Sequence, residues 1–568
     1  MTANTNNEQP SSFSKSLFLG EIHDELVFPF PLMEKDEDAR VRGLVQQARE
    51  FGKGYDPRKV EADGWIGDDK IRELGERGLM GLYVSRELGG AGLTQTGYCR
   101  VSEEFGRIDA TLAVIMGVHQ SIGMKGIHLF GSKEQKERLL PDLATGKKLA
   151  GFALTEPNAG SDAYNIETWA DEKPDGSWVV NGEKRWIGNG NKDVLVTFAR
   201  SAQGHVAFII EKGMPGFEFV KRYETMGLHG NNLCHLRYRD MKVPKANLLG
   251  RPGEGFKIAV HVLNNGRMSL GTGCVGATKL LLNMVIRHIH ERRQFGHKLA
   301  DFELVQDKIG WLVSQLYGLE SMSYLTTGMV DRGVADYSIE SAMVKVAATE
   351  FIWYAANRVF QLVGGLAYMK DQPYEKLLRD LRIFPIFEGS NDVMRCFIAL
   401  TGLKPLADEL KDLASVELND PIRSIGVVAD YLRGRITRGL RPDAIRMAHA
   451  RVTALADPVA GQVKGLREAS EGMLRKHGKK VQDRQWQQRR LAHAAMDIFA
   501  QIATVSRASA EGDKLSSREH HVAETFCTRA ARRVEGNFTT IDNNDDARMA
   551  VIAPEAYEVG GYEHPLYD

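Results

Sequence analysis

From about Glu37 to Thr145 the apolar positions recur at three- and four-residue spacing, as in DKIRELGERGLMGL and KEQKERLLPDLATG, with glycines at the stops. That spacing predicts amphipathic helices. The texture changes near Leu149. From there to about Gly255, short β-branched and aromatic runs (SWVVNGEKRWIG, DVLVTFAR, HVAFIIEKG, GFEFVKRY, HLRYRDMKV) stand between turn signals. These predict a β domain, with Asn181-Gly182 as a hairpin turn. Helical spacing returns from Phe256 to about Lys404, and Gly364-Gly365 ends one of these helices. It continues from Pro405 to Asp568, and residues 1–35 read as a polar tail followed by the apolar arm LFLGEIHDELVFPFP. The expected organisation is therefore an arm (1–35), a helical domain (36–148), a β domain (149–255), a second helical domain (256–404) and further helices (405–568). This order is not the βαβα alternation of a parallel-sheet nucleotide fold.

Length and charge narrow the picture. A chain of 568 residues is long for one core and predicts several domains. Lys+Arg and Asp+Glu both number 74, so no global field favours nucleic acid. The five cysteines are scattered, none in a CxxC pair, which argues against a disulfide frame and structural zinc. The N-terminus lacks the basic start and apolar core of a secretory signal. No uncharged apolar run reaches the roughly 18 residues of a membrane span.

Familiar nucleotide motifs are missing. No GxGxxG opens a helix after a strand, Gly146-Lys147 is followed by Lys148 rather than Ser or Thr, and no HExxH occurs. His288 and His290 are two apart, which on a helix is not one face, so no metal is expected. Five stretches carry chemistry instead. GFALTEPNAGSDAYNIET (Gly151–Thr168) is either an ordinary Ser/Gly turn or a loop whose N–H groups hold a polar ring edge or phosphate. In GEKRWIGNGN, Trp186 is a core residue or an aromatic wall. In ERRQFGHKLADFELVQ, Arg292 and Arg293 are favourable helix-end cations or a pyrophosphate contact. FQLVGGLAYMK offers two glycines for close backbone approach. RIFPIFEGSNDVMR puts one acid, Glu388, after the apolar run Ile383–Phe387 and before Gly389.

Singly these are weak; in this order and spacing they resemble the acyl-CoA dehydrogenase family, from roughly residue 40 to 404. SLFLGEIHDELVFPFP, GVHQSIGMKGI, VLNNGRMS and SRAS…AETFC look like its very-long-chain subgroup, which carries an extra C-terminal helical region. The resemblance implies an α+β fold with an N-terminal helical domain, a middle β-barrel-like domain, a C-terminal helical bundle and the additional helical domain. It implies FAD as cofactor and oxidation of a long or very long acyl-CoA to the trans-2-enoyl-CoA, in fatty-acid β-oxidation. Glu388 matches the base that removes the α-proton. Phe152, Leu154, Thr155 and Ser161 would line the flavin and pantetheine, and Trp186, Ile187 and Gly188 would lie by the isoalloxazine. Arg292, Gln294 and Phe295 would reach the neighbouring subunit's FAD, while Gln361, Gly364 and Gly365 meet the adenosine end. Ser390, Asn391 and Asp392 would close over the flavin. Arg267, Phe387, Gly389 and Ser161 would face substrate, with Thr111 to Gly117 at the pocket floor. The resemblance also implies a homodimer, an electron-transferring flavoprotein as acceptor, and a cytoplasmic location in a bacterium or a mitochondrial one in a eukaryote.

Three departures qualify it, the first being Ala367 where the family has the third glycine of GGxG. Gly188 stands where the family has a Thr or Ser hydroxyl, which opens an oxidase reading that uses O₂. Gly266 occupies the place where some relatives carry the base, which leaves Glu388 as the candidate. A third reading is a respiratory-complex assembly factor, since a close relative of the subgroup serves as one. A carboxylate at the end of an apolar run gains a raised pKa by burial, as a base near operating pH requires. Finally, the basic stretch within residues 461–490 (Lys464, Arg467, Arg475, Lys476, Lys479, Lys480, Arg484, Arg489, Arg490) is a solvated helix, a subunit contact or a peripheral membrane contact.

Overall fold

In the computed structural model the described residues are 12–414, 444–562 and 564–565. The polar tail before residue 12, the segment 415–443 of the expected C-terminal helices and the last residues lie outside them. Two compact units emerge, one made of the described residues from Phe30 to Met394 and the other of those up to Pro29 together with those from Arg395.

The larger unit holds helices around one mixed sheet. Its strands are β1 (Ala150–Ala153), β2 (Trp169–Glu172), β3 (Trp178–Gly188), β4 (Val194–Ser201), β5 (Gly204–Glu211), β6 (Phe217–Arg222), β7 (Leu233–Val243) and β8 (Leu248–Leu249). The strand order is β6-β7-β3-β2-β4-β5-β8, with β1 added parallel to β4. Strands β4 and β5 are buried along almost their whole length, as their unbroken apolar runs require. Trp178, Val180, Phe208 and Tyr238 fill the core beneath.

The sheet is open, which corrects the barrel-like expectation. Closure would need β6 to pair with β8, yet β6 pairs with β7 and β8 with β5. The two-residue β8 is too short to close a barrel, and β6 carries Glu218, Lys221 and Arg222 along its edge, charges that blunt further pairing. The expected hairpin at Asn181-Gly182 is also corrected. Both residues lie inside β3, where the register shifts between Val180 and Gly182. Gly182 has φ 152°, and a Cβ there would stand 2.4 Å from Thr168 Oγ1, so the glycine serves a bulge and a close approach. The chain reverses before β3 instead, where Gly176 N–H donates to the Lys173 carbonyl.

Helix starts follow local chemistry. Ser132 and Gln135 form a capping box for Lys133–Ala144, and Asp109 accepts from the Leu112 N–H to cap Ala110–Met116. The helix Gly255–Glu291 is long and apolar enough to cross a membrane, but two-thirds of its apolar window is buried in the unit, the mark of a core helix. Between Ala110–Met116 and Lys125–Phe130 runs a π-helix, Gly117–Met124, a rare geometry that recurs at functional sites.

In the second unit the N-terminal arm lies among the C-terminal helices. Phe13 packs on Phe499, and Ser506 Oγ donates to the Val27 carbonyl at 2.5 Å. Asp24 Oδ2 accepts from the Arg446 and Met447 N–H groups. The apolar arm thus buries its side chains on helices more than 400 positions away in sequence.

Candidate active site

After the helix Pro373–Leu381 the chain turns repeatedly through residues 382–390. The apolar run does not all face inward. Phe384 is buried and stacks on Phe387 at 5.4 Å, whereas Ile383 and Ile386 turn outward. At the end of the run Glu388 has φ 59° and Gly389 φ 91°. Left-handed backbone at a glutamate costs on the order of 1–3 kcal/mol and needs a reason and an anchor.

The anchor is a set of buried donors. Arg267 Nε, from the helix Gly255–Glu291, donates to the Glu388 carbonyl at 3.2 Å, and its Nη1 donates to Asn264 Oδ1 at 2.9 Å. Lys345 Nζ, from the helix Ser338–Val363, donates to the Gly389 carbonyl and to Asn391 Oδ1, both at 2.7 Å. The Asn391 N–H closes the turn on the Pro385 carbonyl at 2.9 Å.

The result sets the carboxylate against Gly266 of the helix Gly255–Glu291. Glu388 is half-buried as a residue, but its Oε2 is enclosed and makes no hydrogen bond. A Cβ built on Gly266 would stand 3.2 Å from that oxygen and 2.9 Å from Ile122 Cγ2. Burial therefore pushes the carboxyl up to about 6, against the pull of the Arg267 and Lys345 charges. Gly266 and Ile122, remote in sequence, meet on this side of the carboxylate, whereas Ile383 and Ile386 turn outward.

A second line of residues meets the first through the π-helix. Val118 stands one turn before Ile122, and its methyls lie 3.0 and 3.1 Å from where a Gly188 Cβ would be. The π-helix thus touches the end of β3 with one residue and the Glu388 surroundings with another. Just before Gly188, Trp186 has φ 56° within a register shift of β3, and its ring is 50% exposed beside Tyr223. Ile187 turns the other way into the sheet core.

The 154–162 loop is held from below. Lys184 Nζ donates to the Leu154 carbonyl at 3.1 Å and pairs with Glu156 at 2.6 Å, both side chains buried. Desolvation lowers Lys184 to about 8, while the ammonium keeps Glu156 below the usual carboxylate range. Above this pair Ser161 and Asp162 are exposed and Thr155 partly so, while Phe152 packs on Phe198.

The other sequence candidates fall elsewhere on the unit. Arg292, Gln294 and Phe295 form an exposed hairpin segment, Phe295 at its tip 91% exposed with φ 52°. Gln361, Gly364 and Gly365 are exposed where the helix Ser338–Val363 ends, with open space over both glycines. Ser390 is partly buried and Asp392 exposed, but the Asn391 side chain is buried between Lys345 and Thr349. Thr111 is likewise committed, to a buried cluster of Asp109, Lys376 and Asp380. Val118, Ile122, Lys345 and Thr349 escape sequence reading, because each lies on a helix face that looks like ordinary core. Among the described residues no group of three or more His, Cys, Asp or Glu could hold a metal.

Comparison with known families covers most of the chain. Residues 39–147, 151–241 and 253–403 match the N-terminal, middle and C-terminal domains of acyl-CoA dehydrogenase, and residues 451–562 match the ACAD9/ACADV C-terminal domain. The human mitochondrial very long-chain specific acyl-CoA dehydrogenase is 35% identical over 94% of this chain and 85% of its own length. The probable acyl-CoA dehydrogenase FadE10 of Mycobacterium tuberculosis is 32% identical over 96% of this chain and 88% of its own. An acyl-CoA dehydrogenase from Bacillus anthracis, solved with FAD, superposes with a TM-score of 0.79 at 28% identity, over 97% of this chain and 96% of that one. The chain therefore belongs to the acyl-CoA dehydrogenase family, in the very-long-chain subgroup with the C-terminal extension, and is an FAD-dependent acyl-CoA dehydrogenase of fatty-acid oxidation.

Proposed function

We propose that Glu388 is the base that removes the α-proton of the acyl thioester. The observation that carries this reading is the enclosed, unpartnered Oε2 at the end of a strained turn. An α C–H makes no hydrogen bond worth the name in the ground state, so a base for it is a buried carboxylate oxygen with no other partner. With its pKa near 6, Glu388 is mostly ionised at neutral pH yet basic enough to accept the proton. The Glu388 N–H serves the thioester carbonyl oxygen, where a donor aimed at developing enolate charge is worth roughly 3 kcal/mol of barrier.

The residues fit FAD. Trp186 offers an exposed ring, the 154–162 loop an exposed polar edge on a rigid base, and Gly364-Gly365 open backbone. Leu154, Thr155, Ser161, Trp186 and Gly188 would hold the flavin side, Gln361, Gly364 and Gly365 the adenosine side, and Arg292, Gln294 and Phe295 the FAD of a second copy. When bound, FAD supplies the acceptor for the hydride that leaves the β-carbon. Ser161, Phe387 and Gly389 line the substrate side, while Arg267 acts from behind by fixing the Glu388 carbonyl. Anaerobic flavin bleaching by palmitoyl-CoA tests the base: Glu388→Gln should bind FAD without bleaching, and full bleaching would remove Glu388 from the role.

The exposed Phe295 hairpin supports a homodimer, checked by sedimentation at several concentrations. An electron-transferring flavoprotein is the acceptor in this reading, checked by turnover that depends on it. Gly188, where no side chain supplies a hydroxyl, is the position at which a side reaction with O₂ would arise, checked by peroxide formation in air. In the basic stretch Arg467, Arg475 and Arg490 are paired with Glu409, Glu471 and Asp546. Exposed Lys479, Lys480 and Arg484 beside half-exposed Trp486 support peripheral membrane contact, checked by co-sedimentation with anionic vesicles.

A further inference from the structure

Lys345 is a fully buried cation with no place among the sequence candidates. It sits about two turns into Ser338–Val363, on a helix face that reads as core. Burying an ammonium is expensive unless its donors are used. Here two of them bind one tight turn, at the Gly389 carbonyl and Asn391 Oδ1, each at 2.7 Å. Asn391 is fixed in turn by Thr349, one helical turn beyond Lys345, through Nδ2 at 3.0 Å.

This geometry addresses the strain of the site. Glu388 and Gly389 are consecutive residues in the left-handed region, and each presents its carbonyl to a different buried cation. Arg267 holds the first carbonyl and Lys345 the second. Without the second contact the turn can relax toward ordinary backbone angles, which would swing the carboxylate away from the enclosed space beside Ile122 and Gly266. We propose that Lys345 is a positioning residue for the base: its ammonium holds the Gly389–Asn391 segment and so keeps Glu388 aimed at the acyl α-carbon. The inference rests on the assignment of Glu388 as base.

Lys345 also has an electrostatic consequence that a packing residue lacks. The charged groups facing Glu388 are Arg267 from Gly255–Glu291 and Lys345 from Ser338–Val363. Ile122 on the π-helix and Gly266 are apolar, and on the turn's own continuation Asn391 is neutral and Asp392 exposed. Removing the Lys345 charge therefore takes away one of two cations that favour the carboxylate, and the Glu388 pKa must rise.

The test compares FAD-loaded wild type, Lys345→Met, Lys345→Arg and Glu388→Gln. Two quantities are read: the rate of anaerobic flavin bleaching by palmitoyl-CoA, and the pH midpoint of the protonated carboxyl band by infrared difference spectroscopy. The Glu388 band is the one missing from Glu388→Gln. In Lys345→Met the saturating rate should fall about tenfold or more, with half-saturation changed less than about threefold. Its carboxyl midpoint should rise, while Lys345→Arg should return the midpoint but only part of the rate. An unchanged rate and midpoint in Lys345→Met overturn the inference. A slower rate with an unmoved midpoint overturns it too, since that is the signature of lost packing. If Lys345→Met does not fold, Lys345→Gln is read by the same two outcomes. Inert Glu388→Gln with wild-type behaviour in Lys345→Met sinks the Lys345 role alone; full bleaching by Glu388→Gln sinks the base assignment and this inference with it.

Discussion

Gly266 and Glu388 lie 122 positions apart and share one space: a Cβ on Gly266 would stand 3.2 Å from Glu388 Oε2 and 3.4 Å from Oε1. The absence of a side chain at 266 is what lets the carboxylate fold down against the helix. Gly266→Ala should displace it, because the new methyl would stand 2.9 Å from Ile122 Cγ2 as well as 3.2 Å from the carboxylate, so it is crowded from both. We expect bleaching about tenfold slower with FAD content unchanged. Helix propensity favours alanine by about 1 kcal/mol and offsets part of the crowding cost of about 1–3 kcal/mol, so the fall in Tm should be small beside the loss of rate. An unimpaired rate would show that the carboxylate has room the packing denies.

Glu388 should cost stability as well as supply chemistry. Its folded pKa, about 6, lies above the ordinary 4.5, so folding is favoured below pH 4.5 and that benefit is lost as pH rises through 6. The difference is worth about 2 kcal/mol at pH 8. Glu388→Gln should therefore unfold at higher denaturant than wild type at pH 8 and converge with it near pH 4. Parallel curves at both pH values would contradict the burial of the carboxylate.

Gly188 and Val118 form a matched pair, the valine methyls filling the volume a side chain at 188 would take. Gly188→Ser alone should destabilise, and the same change on Val118→Ala should be better tolerated. The double-mutant cycle is expected to show a coupling of about 1 kcal/mol, measured by chemical denaturation. Simple additivity would mean that the two positions do not meet.

In the C-terminal unit, Arg395 Nε donates to His493 Nε2 at 2.7 Å, an arrangement that needs a neutral imidazole. Burial, with Arg395, Arg489 and Arg533 nearby, lowers His493 to about 4 from 6.5. The stability this gives is present above pH 6.5 and is lost as pH falls toward 4, about 3 kcal/mol in all. His493→Gln, which still offers an acceptor, should flatten the dependence of Tm on pH between 7 and 4. A slope as steep as wild type would place the acid sensitivity elsewhere.

Some of this molecule is local in origin and so was legible along the chain. Helical spacing, glycine stops and β-branched runs mark out helices and strands because they report on neighbours three, four or two positions away. Glu388 was legible because an acid between an apolar run and a glycine breaks the local pattern, and the ordered motifs around it carried the family. Asn181-Gly182 misled for the same reason. The dipeptide reads as a turn locally, but Thr168, brought alongside by strand pairing, turned its glycine into a bulge.

The sequence by itself determined the order of helical and β segments and the family, and it pointed to the acid proposed as base. Only the tertiary structure decided that the sheet stays open, because closure depends on which distant edges pair. Only the tertiary structure set Ile122 and Gly266 around the carboxylate and brought Arg267 and Lys345 to consecutive carbonyls of one strained turn. A buried lysine and an outward one look alike along a chain. Their difference is made by the surroundings, which remote segments supply: a cation in water is screened, whereas one enclosed beside a carboxylate must use its donors and its charge.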